Sequence, residues 1–136
     1  MGYAVPAAIA AKLCFPEQEV ICVAGDGCFL MSCQEMATAR ALSLKMIFIV
    51  VNNGTYGTIR MHQEMRFPGR PVGTALTNPD FVALARAYGL AAWRVEKTAD
   101  FAAALSVARA QDGPALIELL TSIDDIAPGR RLSSLI

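Results

Sequence analysis

This sequence has little histidine, no excess of charge of either sign and no long apolar segment. Its 136 residues include one histidine, and 12 Lys and Arg balance 12 Asp and Glu. A net charge of zero removes the electrostatic basis for binding nucleic acid or an anionic membrane surface. The longest apolar run, from Met46 to Val51, is far too short to span a bilayer. We therefore expect neither nucleic acid nor a membrane among its partners.

The four cysteines form no pattern typical of a metal site or a disulfide framework. None of Cys14, Cys22, Cys28 and Cys33 stands in a C-x-x-C pair, and the one histidine, His62, lies far away in sequence. Free thiols in a reducing compartment explain the cysteines best. The first residues lack the basic segment of an export signal. The sequence thus predicts a soluble, cytoplasmic protein.

Apolar residues are abundant, at 54% against 18% charged residues. The length is typical of one domain, and a domain of this size leaves much of its surface in water. Two interpretations stay open. Either alanine inflates the apolar count, or part of the apolar surface is buried against a partner.

Apolar segments with the character of strands alternate with helical segments. Strands are predicted at four places: 20–24, 46–51, 91–95 and 115–121. Helices are predicted at five: 6–13, 32–42, 56–65, 79–88 and 98–111. Asn78 is the predicted N-cap of the fourth helix, after a long loop over 67–78. Residues 124–136 show no clear period and are expected to form a tail.

Continuously apolar strands that alternate with helices indicate a parallel sheet covered on both faces. The predicted fold is therefore α/β and doubly wound. In such folds, ligands bind beyond the carboxyl ends of the strands. Two unusual loops begin at those ends, after the first and the second predicted strand.

The first loop contains Gly25, Asp26, Gly27 and Cys28. Its glycines allow the backbone to approach a ligand closely, and successive amides at a helix start form an anion site. Asp26 among those amides would repel a bare phosphate, so a cation is expected between them. Alone, a Gly-Asp-Gly after a strand is most often a tight turn.

The second loop, residues 52–57, reads NNGTYG. An Asn side chain offers a neutral oxygen, and an irregular turn after it can expose a carbonyl. Carboxylate, carboxamide and carbonyl oxygens suit Mg²⁺ or Ca²⁺ rather than zinc, and leave about three octahedral positions for phosphate and water. Asn-Asn-Gly is by default a turn signal. The two loops together indicate a ligand site much more specifically than either loop alone.

The spacing of these loops resembles the signature of thiamine-diphosphate enzymes, in which GDG is followed by 24 intervening residues and then NN. MGYAVPAAIAAKL is similar to the segment before that motif in acetolactate synthases and benzoylformate decarboxylases. NNGTYGTIR resembles benzoylformate decarboxylases, while NPDFVALARAYG and DGPALIEL resemble acetolactate synthases. The resemblance covers nearly the whole chain.

The resemblance implies which residues hold a metal and a cofactor. Mg²⁺ would be bound by Asp26, by the Asn53 side chain and by the backbone carbonyl of Thr55. The implied residues around thiamine diphosphate are Met1, Gly25, Asp26, Gly27, Cys28, Asn53, Thr55, Tyr56 and Gly57.

Individual roles within this set are also implied by the resemblance. The amides of Gly27 and Cys28 would contact the diphosphate, and Tyr56 and Gly57 would close over it. Cys28 stands where family members usually have Ser, which removes a hydroxyl. Met1 would wedge the cofactor into its bent form.

The implied function is that of a 2-oxo-acid decarboxylase or an acetolactate-synthase-like carboligase, in which the protein binds and orients the cofactor. The family's activating glutamate lies in a separate pyrimidine-binding domain, of the same or another subunit of a homo-oligomer. Residues 1–123 would then be a diphosphate-binding domain without its first elements, inactive alone. Whether Met1 is a natural start or an internal residue of a longer chain stays open. We expect Glu35 to cap or pack and Glu64 to be a solvated helix residue. Whether FAD also binds stays open.

His62 follows the second loop, where family members place substrate-facing side chains together with Thr58 and Ile59. Acetolactate synthases usually carry Trp here, which puts acetolactate specificity in doubt. His62 is thus either a catalytic, substrate-facing residue or a partly exposed surface histidine. A non-catalytic thiamine-diphosphate-binding or regulatory module is the alternative function. A nicotinamide-binding fold is disfavoured, because residues 25–30 lack the third glycine of G-x-G-x-x-G.

Overall fold

Four parallel strands form one sheet in the order β1-β2-β4-β3. The computed structural model describes residues 1–127 and 129–135. Its strands are β1 (Ile21–Gly25), β2 (Ile47–Asn52), β3 (Ala91–Val95) and β4 (Ala115–Leu120). Each prediction from the sequence is confirmed to within one residue at either end. After β2 the chain crosses to the far edge for β3 and returns to place β4 between them.

Six α-helices within the described residues connect and cover the strands. They are α1 (Ala4–Cys14), α2 (Asp26–Phe29), α3 (Met36–Ala41), α4 (Gly57–Arg66), α5 (Phe81–Ala87) and α6 (Phe101–Arg109). Short 3-10 segments lead into α3 and α6, and a third, Leu132–Ser134, lies in the predicted tail. In residues 1–127 and 129–135, no helix has the length and apolar character needed to cross a membrane.

The start of α5 differs from the prediction. Asp80, not Asn78, is its N-cap, and the Asp80 carboxylate accepts a hydrogen bond from the amide of Ala83 at 2.9 Å. That backbone hydrogen bond, followed by the charge of Arg94, lowers the pKa of Asp80. The prediction that Asn78 caps this helix is wrong, because the Asn78 side chain is bonded to the loops that follow β1 and β2.

Each face of the sheet has its own apolar core, since alternate strand residues point to opposite faces. On one face, α1, α2, α3 and α5 enclose fully buried side chains. Phe29 there packs edge to face against Phe48 and Phe81, with ring centroids 6.3 Å and 5.8 Å apart. On the other face, Ile47 and Ile117 pack with residues of α6. Helices on both faces confirm the doubly wound α/β fold.

The strand order brings the two unusual loops together. β1 and β2 are neighbours, and Gly25 pairs with Val51 near the carboxyl ends of both. The segments after these strands therefore leave the sheet side by side, as the position of ligand sites in such folds requires.

Candidate cofactor and metal site

Asp26 is a buried carboxylate, 3% exposed, at the start of α2. Its Oδ1 accepts the Gly27 amide at 2.8 Å, and its Oδ2 accepts the Gly54 amide at 2.9 Å and Nδ2 of Asn78 at 2.7 Å. No Lys, Arg or His of the described residues forms an ion pair with it. Taking a carboxylate out of water costs several kcal/mol. Neutral donors offset part of that cost but leave the negative charge uncompensated.

The loop after β2 presents neutral oxygens beside this carboxylate. Asn53 Oδ1 accepts the Thr55 amide at 3.0 Å, and Gly54 between them has φ +67°, a conformation that favours glycine. Thr55 is buried, and its hydroxyl donates to the carbonyl of Thr74 at 2.7 Å. Among the residues that the structure describes, none donates a hydrogen bond to the Thr55 carbonyl. A carboxamide oxygen and a free carbonyl thus accompany the carboxylate.

The long loop after α4 is confirmed as largely irregular, but it is attached to the site. Thr55 and Ala75 form an isolated antiparallel bridge, and the Tyr56 amide donates to the carbonyl of Thr74 at 2.9 Å. This pairing carries the end of the loop back across the site and places Asn78 against Asp26.

A chain of hydrogen-bonded side chains, in which Asp26 and Glu118 are buried, runs behind the site. Asn78 Nδ2 donates to Asp26 Oδ2 at 2.7 Å and to Asn52 Oδ1 at 2.8 Å. Asn52 Nδ2 donates to Oε1 of Glu118 at 2.7 Å, and Arg94 Nε donates to its other oxygen at 2.8 Å. The sequence interpretation missed these residues. A glutamate inside the apolar strand β4 was the available signal, because a buried carboxylate requires partners.

A cleft of about 520 Å³ opens beside the two loops. Pockets for small molecules and cofactors span roughly 300 to 1,000 Å³. The cleft brings together all nine residues assigned to the cofactor from the sequence: Met1, Gly25, Asp26, Gly27, Cys28, Asn53, Thr55, Tyr56 and Gly57. Ile126, from the segment predicted as a tail, also lines it.

The Tyr56 ring and the start of α4 shape the floor of this cleft. A Cβ atom placed on Gly27 would lie 2.8 Å from Cδ1 of Tyr56, so the ring lies directly against the glycine. Tyr56 is the N-cap of α4 and makes no side-chain cap hydrogen bond. Because first-turn amides have no partner within a helix, α4 presents free N–H groups near Gly57 and Thr58 that suit an anion.

His62 is not among the residues that line the cleft. It is exposed on α4, whereas Thr58 and Ile59 of the same helix do line it. Residues four apart lie on the same side of a helix, so His62 stands one turn beyond Thr58, away from the loops.

The two glutamates considered from the sequence have structural partners. The prediction that Glu64 is solvated is wrong: it is 0% exposed. The guanidinium of Arg60 lies 2.7 Å from its Oε1, and the Gly69 amide donates to Oε2 at 2.6 Å. Glu35 accepts a hydrogen bond from the Thr38 hydroxyl at 2.7 Å at the start of α3 but makes no side-chain cap hydrogen bond, in agreement with the packing role and not with capping.

Cysteine contributes no metal cluster in the part of the chain that the structure describes. All four thiols are free, and burial raises the pKa of Cys22 to about 11. Residues 1–127 and 129–135 contain no group of three or more His, Cys, Asp and Glu placed to hold a metal ion. A cation in the cleft would therefore depend on Asp26 together with neutral oxygens.

Comparison with known proteins places this sequence in a family whose description fits this site geometry. The family of thiamine pyrophosphate enzymes, C-terminal TPP binding domain, matches residues 1–119. The acetolactate synthase large subunit of Corynebacterium glutamicum is 39% identical over 130 residues, covering 91% of this chain and 21% of that protein. The acetolactate synthase isozyme 2 large subunit of Escherichia coli K12 is 35% identical over 127 residues, covering 93% and 23%.

A probable acetolactate synthase large subunit of Methanococcus aeolicus is 32% identical over 141 residues, covering 100% of this chain and 24% of that protein. The chain thus spans about a fifth to a quarter of the length of these curated relatives. It belongs to the thiamine pyrophosphate enzyme family, of which it represents the C-terminal TPP-binding domain.

Proposed function

We propose that this chain binds Mg²⁺ and the diphosphate of thiamine diphosphate, as part of a 2-oxo-acid decarboxylase or an acetolactate-synthase-like carboligase. The observation that carries the proposal is Asp26, a carboxylate that is 3% exposed, lines the cleft and has no cationic partner among the described residues. The relatives named acetolactate synthase support this enzyme class.

The donor set suits Mg²⁺. Asp26 would supply one carboxylate oxygen, Asn53 a carboxamide oxygen, and Thr55 the carbonyl that accepts no hydrogen bond from the described residues. Hard oxygen ligands of this kind, few in number, are typical of Mg²⁺ sites that also use phosphate oxygens and water. A single protein charge is sufficient where a diphosphate supplies the remainder.

The amides at two helix starts would hold the diphosphate. Cys28 and Gly57 both line the cleft, and at Gly57 the first turn and dipole of the ten-residue α4 also favour an anion. The Gly27 amide already donates to Asp26 Oδ1, so any diphosphate contact it makes would be shared. Tyr56 would shield this end of the cofactor from water.

When bound, thiamine diphosphate supplies an electron sink for the carbanion chemistry of a 2-oxo acid. The residues of this chain would bind and orient it: the two loops would hold the diphosphate, and Met1, which also lines the cleft, would wedge the cofactor into place. A substrate contact of His62 stays a prediction. Binding of FAD elsewhere in the full-length protein also stays open.

The pyrimidine-binding domain of the same or another subunit would cover the exposed apolar residues beside the cleft. Met1, Tyr3 and Met31 are 67%, 78% and 50% exposed. A Cβ atom on Gly2 would lie 3.1 Å from Cβ of Met31, so these residues form one surface. Burial of such a surface against a partner is favourable, which supports a homo-oligomer or a multidomain chain.

Calorimetric titration of the protein at its full native length, with thiamine diphosphate and Mg²⁺, tests the proposal. Asp26→Asn keeps the side-chain shape but removes the charge. We expect the affinity for Mg²⁺ to fall about 100-fold or more, since loss of an outer-shell partner alone costs about 10- to 100-fold. Asp112→Asn is the matched control, because Asp112 is fully exposed and remote from the cleft. Unchanged Mg²⁺ affinity in Asp26→Asn would contradict the proposal.

A further inference from the structure

We propose that Asn78 is a positioning residue that makes Asp26 a one-oxygen ligand for the cation, an inference that rests on the proposed function. Two donors bridge the same two acceptors at this point. The Gly54 amide reaches Asp26 Oδ2 at 2.9 Å and Asn52 Oδ1 at 3.2 Å. Asn78 Nδ2 reaches the same two oxygens at 2.7 Å and 2.8 Å.

The hydrogen bonds use the two oxygens of Asp26 unequally. Each carboxylate oxygen has about two acceptor positions. Oδ2 accepts from Gly54 and Asn78, whereas the only donor to Oδ1 among the described residues is the Gly27 amide. One position of Oδ1 is therefore left for a cation, so Asp26 binds through a single oxygen. Such contacts suit the near-ideal octahedral geometry that Mg²⁺ demands.

The orientation of the Asn78 amide follows from its neighbours. Its Oδ1 is buried and accepts no hydrogen bond from the described residues. In the opposite orientation the Asn78 oxygen would face Asp26 Oδ2 and Asn52 Oδ1. Both of these are acceptors, and Asn78 would then offer neither of them a proton. In the observed orientation both N–H groups of Asn78 donate to the site, although leaving its buried oxygen unsatisfied costs free energy.

A neutral double donor also preserves the negative charge that a cation needs. A Lys or Arg in place of Asn78 could supply two N–H groups, but its charge would compensate Asp26 and compete with the metal. Asn52, the second acceptor, is fixed from behind by Glu118, which is 1% exposed and itself bonded to Arg94. Asn78 therefore ties Asp26 to a rigid part of the sheet.

Titration with Mg²⁺ at a fixed concentration of thiamine diphosphate, in the protein at its full native length, tests the inference. We expect Asn78→Ala to lower the Mg²⁺ affinity about 10- to 100-fold, as for other residues that orient metal ligands. Thr77→Ala is the control, since Thr77 is the exposed neighbour and makes no side-chain hydrogen bond with the described residues. Its Mg²⁺ affinity should equal that of the wild type.

Melting temperatures with and without Mg²⁺ separate positioning from a merely structural role. A residue that only stabilises the fold lowers the melting temperature and leaves the increase caused by Mg²⁺ unchanged. For Asn78→Ala we expect that increase to shrink. If this variant does not fold, Asn78→Ser, which keeps one donor, should show an intermediate loss of Mg²⁺ affinity.

The outcomes distinguish the inference from the proposed function. Wild-type Mg²⁺ affinity in Asn78→Ala, or in Asn78→Ser, together with loss of binding in Asp26→Asn, overturns the role of Asn78 alone. Wild-type affinity in Asp26→Asn overturns the proposed function itself.

Discussion

The Arg109–Glu19 ion pair at one end of the sheet and the carboxylates at the other end lie in different environments. At the amino ends of the strands, Arg109 forms a two-pronged ion pair with Glu19 at 2.6 Å and 2.9 Å, and both side chains are about half exposed. At the carboxyl ends, Asp26 and Glu118 are 3% and 1% exposed. Glu118 has a cationic partner in Arg94, whereas Asp26 has none within the described residues.

This difference separates structural charges from functional ones. A solvated ion pair costs little to form and contributes little. A buried carboxylate with only neutral donors carries a standing electrostatic cost, which a ligand can remove. The Arg109–Glu19 pair therefore contributes little, whereas the uncompensated carboxylate of Asp26 makes binding energy available at the carboxyl end of the sheet.

Removing Glu118 should have the largest effect on stability. In Glu118→Ala, Asn52 and Arg94 lose their shared partner. We expect the free energy of unfolding to fall by about 2–3 kcal/mol, below the usual range for a broken buried pair because Arg94 is partly exposed. Urea unfolding measures the change. Glu19→Ala is the counterpart at the amino end and should leave the urea midpoint almost unchanged. Equal effects of the two substitutions would contradict the difference between the buried and the exposed ion pair.

A methyl group on Gly27 should have the next largest effect. Gly27→Ala places Cβ against the Tyr56 ring, and overpacking of this kind costs about 1–3 kcal/mol. We expect a lower melting temperature and weaker binding of thiamine diphosphate. Gly113→Ala is the matched control, because nothing lies within 4 Å of a Cβ at that position and Gly113 does not line the cleft. Equal behaviour of both variants would mean that Tyr56 moves aside freely.

The smallest effect should be a pH dependence at α5. The hydrogen bond from the Ala83 amide lowers the pKa of Asp80 in the folded protein below that of an unperturbed aspartate. The capping contribution is therefore complete above that value and is lost as the pH falls through the folded-state pKa. Urea midpoints of the wild type and Asp80→Ala should differ at about pH 6, and the difference should shrink as the pH falls through the lowered pKa of Asp80. A constant difference across this range would show that the Asp80 charge is irrelevant to the cap.

The strands and both loops could be predicted because their signals are local. The apolar run in β2 is continuous, and the polar loop after it ends it abruptly. Asn78 and Glu64 could not be placed, for a shared reason. A long irregular loop connects them, and its path depends on distant contacts such as the bridge between Thr55 and Ala75. Local sequence patterns predicted Asn78 as a helix cap and Glu64 as a surface residue, but tertiary contacts provide other hydrogen-bond partners for both side chains.

The contact between Asp26 and Asn78 joins residues 52 positions apart in sequence. Contacts of such separation require a large loss of chain entropy before they form. We therefore expect the pairing of β1 with β2 to precede the docking of the long loop during folding. In that order of folding, the Asp26 carboxylate acquires its final orientation only in the last step. Tight cation binding would therefore indicate that folding of this half of the domain is complete.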